Sequence, residues 1–219
     1  RDTALRRIQI EDFRGKPLLI NLVYTSCSYD CPVVIENLAR TIKVAWAAVG
    51  RDAFQVLTIG FDTRNDTPDR MRFFAAAHGV SDRSWKFLSS DSVTIDRLAQ
   101  SVGFVFLPSP KGFDHLAQTT LLDGEGRIYR QVYGSDFDPP FLVEPLKDLV
   151  FGRNSAPVSL DGLINRIRLF CTVYDPASGR YRCDYSPFIA IIVGGGVLGG
   201  IGFVIFRAWW RRPRTGASS

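Results

Sequence analysis

Two cysteines separated by three residues are the first feature of this chain that could do chemistry. Cys27 and Cys31 lie in the stretch NLVYTSCSYDCPVV, and Pro32 follows the second of them. In a helically wound segment, positions i and i+4 share a face, so two thiolates there could form a disulfide or hold one soft metal ion. A helix start also favours thiolate over thiol, because its free N–H groups and its dipole attract negative charge.

A histidine would decide between a metal site and a bare thiol pair, and the chain has 2. His78 ends the stretch AAAHG at a predicted helix C-terminus, where a cation is favoured, so we interpret it as a capping residue. His115 lies in KGFDHLAQTT, at the predicted start of a strand, and is on its own more often structural. Beside a cysteine pair at a sheet edge it becomes a candidate ligand, because two thiolates and one imidazole suit Cu(I), Cu(II) or zinc. Asp114 could orient its ring.

Hydrophobic patterning predicts an α/β scaffold for these residues. Nearly continuous apolar runs predict buried strands at 16–26 and 54–62. The β-α-β-α order predicts a mixed central sheet with helices on both faces, and it places the cysteine pair at the carboxyl edge, where ligands collect. The other predicted elements are helices at 31–50, at 67–79 with Thr67 as N-cap, at 92–101 and at about 140–151, and a hairpin within 114–134 that turns at Asp123-Gly124.

A long uncharged segment lies near the C-terminal end. Residues 188–206 contain no charge, and a helix of this length spans about 28 Å, close to the thickness of a bilayer core. Basic flanks stay on the cytoplasmic side, so we expect residues 1–187 outside the cell membrane and the tail inside. The flank also carries most of the net charge of +5, which speaks against a nucleic-acid-binding protein. Its arginines are Arg207, Arg211, Arg212 and Arg214.

An exported domain would keep its cysteines in an oxidising compartment, and Arg1 in place of Met predicts removal of an export signal. Cys171 and Cys183 lie in LFCTVYDPASGRYRCDY, which predicts a β-hairpin. With a loop at 176–178 the two cysteines face each other and a structural disulfide is possible. The alternative is a second thiol site that relays electrons or copper.

Two glycines of the uncharged segment could support a contact between helices. Gly195 and Gly199 have the small-xxx-small spacing, which lets a partner's helix approach closely. Tolerance of glycine in lipid is an equally good explanation. The predicted organisation is an α/β domain at 1–151, a linker with the cysteine hairpin at 152–187, one C-terminal transmembrane helix at 188–210 and a basic cytoplasmic tail at 211–219.

Three motifs in one order resemble the SCO/SenC family, thioredoxin-fold copper proteins that help to assemble the binuclear copper centre of cytochrome c oxidase. They are GKPLLINLVYTSCSYDCPVV with its Cys-x-x-x-Cys-Pro, FDTRNDTPDRMRFF with its Asp-x-x-x-Asp-Thr-Pro, and FDHLAQTTLLDGEGRI with its Asp-His. The resemblance runs from about residue 10 to 150. It implies a thioredoxin-like fold and a copper site made of Cys27, Cys31 and His115.

The resemblance also gives the second motif a role. It implies that Asp62, Asp66, Thr67 and Pro68 belong to a loop near the metal or the partner face. The residues alone support a plainer interpretation, in which Asp66-Thr67-Pro68 is a turn that runs into a helix. The family usually carries its membrane anchor before the domain, whereas here the predicted anchor follows it.

The resemblance favours a membrane-anchored copper chaperone over an enzyme. Such a protein would take one copper ion from a donor protein and deliver it to a cytochrome c oxidase subunit, on the periplasmic side of the cell inner membrane. The alternative is a thiol–disulfide oxidoreductase, in which Cys27 attacks, Cys31 resolves and the targets are cysteines of an oxidase subunit or another exported protein. His115 discriminates between the two, because a reductase has little need of this imidazole.

Overall fold

The computed structural model describes residues 1–27, 30–80, 82–110, 112–152, 172–175, 178–183 and 186–210. Nine strands and five α-helices lie in this part of the chain. The strands are β1 (Leu18–Val23), β2 (Gln55–Gly60), β3 (Trp85–Ser89), β4 (Phe106–Ser109), β5 (Gly112–His115), β6 (Gln118–Leu122), β7 (Ile128–Tyr133), β8 (Thr172–Asp175) and β9 (Arg180–Cys183). The helices are α1 (Asp30–Val49), α2 (Pro68–Ala77), α3 (Ser92–Val102), α4 (Pro140–Lys147) and α5 (Ser186–Trp210).

The centre of the fold is a five-stranded mixed sheet in the order β3-β2-β1-β6-β7. β1 and β2 are parallel, β2 and β3 are parallel, and β6 runs antiparallel to both β1 and β7. Every residue of β1 is buried, as the nearly continuous apolar run of its sequence predicts for a strand covered on both faces. The predicted mixed sheet flanked by helices is confirmed.

The ends of the helices follow from local chemistry. Thr67 is the N-cap of α2, and its side chain accepts a hydrogen bond from the backbone N–H of Arg70, as its residue type predicts. His78 is the C-cap of the same helix, and its ring packs against Phe74. α3 begins after the N-cap Asp91 and ends at Gly103, whose φ of 66° is in the left-handed region that glycine favours.

A small hairpin made of β4 and β5 corrects the predicted position of His115. The sequence placed this histidine at the start of a strand, but it is the last residue of β5, and β6 begins three residues later at Gln118. The predicted hairpin within 114–134 is confirmed only as β6–β7. The reason is that β4 and β5 pair with each other outside the main sheet, and such short strands leave little signal in the sequence.

The C-terminal hairpin is confirmed, but its predicted register is wrong. β8 and β9 pair so that Asp175 faces Arg180 and Cys183 faces Thr172, not position 171. Four residues, 176–179, therefore separate the strands in place of the predicted three. Cys171 lies outside the described residues, so its disulfide with Cys183 stays a prediction.

The segment predicted to span a membrane is helical. It forms most of α5, a helix of 25 residues. Counted over the residues that the structure describes, no helix combines the length and the hydropathy of a membrane span. The basic tail at 211–219 lies outside the described residues.

Candidate metal centre

The first candidate ligand follows the central strand of the sheet. β1 and β2 end side by side at Val23 and Gly60, so the residues after them meet at the carboxyl edge. Cys27 lies three residues beyond Tyr24 and donates its backbone N–H to the Tyr24 carbonyl at 3.2 Å. This bond closes a turn at the end of β1. Cys27 is half-buried and packs against the hydrophobic core.

The second cysteine is the second residue of α1. The first N–H groups of a helix have no partner within the helix, so this position favours a thiolate. Sequence reasoning placed Cys31 at the helix start, and the structure confirms this for the backbone. The Cys31 side chain lies outside the described part of the molecule.

A buried carboxylate ties the cysteine turn to the end of β2. Asp66 Oδ1 accepts hydrogen bonds from the Thr25 backbone N–H at 2.8 Å and from Thr25 Oγ1 at 2.7 Å. Its Oδ2 accepts the backbone N–H of Asp62 at 2.9 Å. Asp66 is only 2% exposed, so the acceptor of all three bonds is buried. The carboxylate thus connects the segments that follow two neighbouring strands.

Burial dominates the electrostatics of Asp66. It raises the pKa of the carboxyl group above its ordinary value, even though the hydrogen bonds from Thr25 and Asp62 lower it, and the nearby Asp62 charge raises it further. Gly60 makes room for the group. A Cβ at position 60 would lie 2.4 Å from the Asp66 Cβ, closer than two carbons can approach.

The Asp-Thr-Pro motif therefore combines two functions. The Asp66 N–H donates to the Asp62 carbonyl at 2.7 Å and Thr67 caps α2, so the plainer interpretation, a turn running into a helix, is confirmed. Asp62 is also buried, and its Oδ2 accepts a bond from Asn65. Beyond the turn, Asp66 reaches the segment of Cys27. Sequence reasoning missed Thr25 and Gly60, and only the position of each beside the end of a strand could have indicated them.

Aromatic rings position the candidate histidine at the same edge. His115 faces Phe106 across the β4–β5 hairpin and is half-buried. Its ring centroid lies 5.7 Å from that of Tyr24 and 5.2 Å from that of Phe61, with both pairs edge to face. Phe104 is a third neighbour, at 5.6 Å. Since Tyr24 follows β1 and Phe61 follows β2, His115 lies over the carboxyl ends of both strands.

Tyr24 connects the histidine with the cysteine turn. Its ring contacts His115, and its carbonyl accepts the N–H of Cys27. The hairpin can approach this tyrosine because position 112 is glycine. Gly112 has a φ of 119°, and a Cβ there would lie 3.1 Å from the Tyr24 hydroxyl and from Cε2. The contact of this glycine with Tyr24 was not predicted from the sequence.

Asp114, the third predicted acidic residue, lies on the other face of the hairpin. It precedes His115 in β5, and successive side chains of a strand point to opposite faces. It is exposed and faces Leu107 across the hairpin. This placement turns the Asp114 side chain away from the His115 ring.

The structure therefore brings two of the three predicted ligands to one edge. Cys27 and His115 both contact Tyr24, by a backbone hydrogen bond and by a ring contact respectively. Among the side chains that the structure describes, no group of three or more His, Cys, Asp or Glu residues could hold a metal ion. The predicted three-ligand set depends on Cys31, whose side chain is outside that group.

The mixed sheet, the flanking helices and the cysteine turn after the central strand define a thioredoxin-like α/β protein. The SCO1/SenC family model matches residues 2–150. This is more than half of the 219 residues, and the chain belongs to the SCO1/SenC family.

Individual relatives are distant in sequence. The SCO1 protein homolog of Bacillus subtilis (strain 168) is 23% identical over 141 residues, which cover 61% of this chain and 70% of the relative. The structure of Bradyrhizobium japonicum ScoI with copper bound has a TM-score of 0.54 and 24% identity, and the match covers 68% of this chain and 92% of that one. The structure of Arabidopsis thaliana ScoI with copper bound has a TM-score of 0.57 and 19% identity, and the match covers 65% of this chain and 88% of that one. At these identities the structural likeness shows the fold.

Proposed function

We propose that this protein binds one copper ion through Cys27, Cys31 and His115 and delivers it to cytochrome c oxidase during assembly. Membership of the SCO1/SenC family supports this, as do two relatives of the same fold whose structures contain copper. The observation that carries the proposal is that His115, 88 positions after Cys27, lies against the tyrosine that starts the Cys27 turn.

The donor set fits copper as a cargo. Thiolate sulfur and imidazole nitrogen are ligands that suit copper, whereas a site of carboxylates and water would suit calcium or magnesium. Three protein ligands leave the ion open to an incoming thiolate, so copper can pass to an acceptor subunit by ligand exchange. The aromatic rings of Tyr24, Phe61 and Phe104 around His115 make one side of this site apolar.

The membrane anchor belongs to the same proposal. α5 is about 37 Å long at 1.5 Å per residue. Large apolar side chains are exposed along it, and in water they would need a cover. We place the α/β domain on the periplasmic side of the cell inner membrane, with the arginine-rich tail in the cytoplasm. A copper donor, an oxidase subunit and a helix contacting Gly195 and Gly199 are the proposed partners. The exposed side chains are Ile189, Ile192, Val193, Val197, Leu198, Ile201, Phe203 and Phe206.

Anaerobic Cu(I) loading in competition with a chromophoric chelator tests the three-ligand site. We expect one tightly bound copper per wild-type chain and a large loss of affinity in the Cys27→Ser, Cys31→Ser and His115→Ala variants. His78→Ala is the matched control, because it removes the other histidine of the chain, which caps α2. Equal and tight binding by His115→Ala and wild type would refute the proposed ligand set.

The second candidate function is thiol–disulfide exchange. The observation in its favour is the position of Cys31 in the first turn of α1, where a thiolate is stabilised. Reduction of a disulfide in an exported target would need both cysteines and not His115. A His115→Ala variant that loses copper but keeps full reductase activity would show that the two functions are separate. If His115→Ala keeps both copper binding and reductase activity, the three-ligand copper site is refuted and thiol–disulfide exchange becomes the favoured function.

A further inference from the structure

The Cys27 turn is held from outside by one acidic side chain. Tyr24 and Cys27 are the first and last residues of the turn, and its corner begins at Thr25. Both polar groups of Thr25 that can donate, the backbone N–H and Oγ1, reach Asp66 Oδ1 at 2.8 and 2.7 Å. The turn is therefore fixed at its start by burial of Tyr24 and at its corner by Asp66.

Asp66 in turn has little freedom to move. Its own N–H and its Oδ2 are both bonded to the backbone of Asp62, at 2.7 and 2.9 Å. On another side the Cα of Gly60 is so close that it leaves no room for a methyl group. A group held in this way transmits its position to whatever it binds, and here it binds the residue two positions before Cys27.

Only a carboxylate satisfies all three donors. One oxygen accepts two bonds from Thr25 and the other accepts the N–H of Asp62. In asparagine one of these oxygens becomes an NH₂ group, which would face an N–H donor on either side. Bonds to an ionised acceptor are also about twice as strong as bonds between neutral groups. Substitution by asparagine thus breaks the fixation on one side, either at Thr25 or at Asp62, with almost no change in volume.

We propose that Asp66 is a positioning residue for the Cys27 thiol, and that it acts through Thr25 to hold the turn in the orientation that binds metal. This inference rests on the proposed copper site, whose ligands do not include Asp66 or Thr25. A group that orients a metal ligand in this way typically contributes about 10- to 100-fold to metal affinity.

The test compares Asp66→Asn, Thr25→Val and the double variant in the full chain. We expect Asp66→Asn to weaken Cu(I) binding about 10- to 100-fold and to shift the thiolate-to-Cu(II) absorption band. Thr25→Val removes the hydroxyl bond but keeps the backbone N–H bond, so it should change both in the same direction by less. The double variant should lose less affinity than the product of the two single effects, because both changes weaken one connection. Thr25→Ser keeps the hydroxyl that Thr25→Val removes and should restore wild-type affinity and the wild-type band.

Asp123→Asn is the matched control. Asp123 is also buried, at 4% exposure, and its carboxylate accepts bonds from the N–H groups of Glu125 and Arg127 and from the Arg127 side chain. It follows β6, which runs antiparallel to β1, so it lies at the opposite edge of the sheet from Cys27. The Asp123→Asn variant should be less stable than wild type but keep the wild-type copper affinity and the wild-type absorption band.

A second measurement separates failure of this inference from failure of the proposed function. The alkylation rate of Cys27, followed by peptide mass spectrometry of the reduced protein, reports on the thiol without copper. Folded Asp66→Asn and Thr25→Val variants with wild-type copper affinity, band and alkylation rate would overturn the positioning role. A wild-type protein that binds no copper would refute the proposed function, and the alkylation rates alone would then decide for or against Asp66. If Asp66→Asn does not fold, the comparison of Thr25→Val with Thr25→Ser decides.

Discussion

Replacement of Gly60 by alanine is expected to disrupt the connection between β1 and β2. The new Cβ would lie 2.4 Å from Asp66 Cβ and 2.9 Å from both Cγ and Oδ2. Carbon atoms in contact are about 3.5–4.0 Å apart, so relief of the overlap requires a movement of about 1–1.5 Å. Such a movement of Asp66 would stretch its bonds to Thr25 and Asp62, now 2.7–2.9 Å, beyond hydrogen-bond range. Movement of the strand instead would break its pairing with Val23 and Ser89.

The expected loss of stability follows from these two ways of relieving the overlap, movement of Asp66 or movement of the strand. Overpacking of a buried site costs about 1–3 kcal/mol. Loss of a hydrogen bond to a charged group costs about 1.5–3 kcal/mol. Because both describe one displacement, the two costs overlap, and we expect Gly60→Ala to lower the free energy of unfolding by about 2–4 kcal/mol. Urea denaturation followed by circular dichroism measures this change, and Cys27 alkylation should change in the same variant.

Gly124→Ala is the control for the added methyl group. Its φ is not positive, and the nearest atom to the new Cβ is the Gly15 carbonyl carbon at 3.3 Å, so a small shift accommodates it. We expect this variant to lie within about 1 kcal/mol of wild type, somewhat more than the roughly 0.5 kcal/mol that is usual for a surface substitution. The reasoning is refuted if Gly60→Ala unfolds at the same urea concentration as Gly124→Ala and its Cys27 reacts at the wild-type rate.

Three further predictions concern other parts of the domain. Gly112→Ala should lower the free energy of unfolding by about 1–3 kcal/mol and perturb the NMR signals of the His115 ring, because its φ of 119° and the Tyr24 hydroxyl at 3.1 Å both oppose a side chain; unchanged signals would contradict it. Trp85→Phe should cost about 1–3 kcal/mol in urea denaturation, since it leaves Thr58 Oγ1 buried without the donor now at 2.9 Å, and adding Thr58→Val should recover part of this loss. For Asp123, burial raises the pKa, but the hydrogen bonds from Arg127 outweigh it and hold the pKa below the ordinary value of 3.8. Its stabilisation is therefore present above pH 3.8 and lost as the pH falls through the lowered pKa, so wild type and Asp123→Asn should differ in urea midpoint at pH 7 and converge in strong acid, whereas a constant difference would exclude this origin.

Local signals in the sequence predicted most of the scaffold. The nearly continuous apolar run of β1 and the sequence Thr67-Pro68 at the start of α2 depend on neighbours in the chain, and both predictions are confirmed. The β4–β5 hairpin was missed because its strands are short and half-exposed and are stabilised by contact with Tyr24 and Phe61.

The ligand types of the candidate site were predictable from the sequence, but the hydrogen bonds that hold its cysteine turn in place were not. The cysteine spacing and the candidate histidine are visible in the sequence, and the resemblance to the SCO1/SenC family indicates which metal they would bind. The bond between Thr25 and Asp66 joins positions 41 residues apart, so it exists only once β1 and β2 are paired. The predicted register of the β8–β9 hairpin was wrong for a related reason. A loop one residue longer than predicted shifts every residue pair between the two strands.

The order of the strands in the sheet also determines when each strand can find its neighbours during synthesis of the chain. β1 can pair with β2 after about 35 residues of further synthesis, but its other neighbour is β6, and 98 residues separate Asn21 from Thr119. At about 5–20 residues per second this interval lasts roughly 5–20 seconds. Through that time one edge of a strand with five apolar residues out of six remains open to other chains, and strand edges of this kind favour aggregation. Anything that binds the nascent chain at β1 therefore protects the strand on which the cysteine turn is later built.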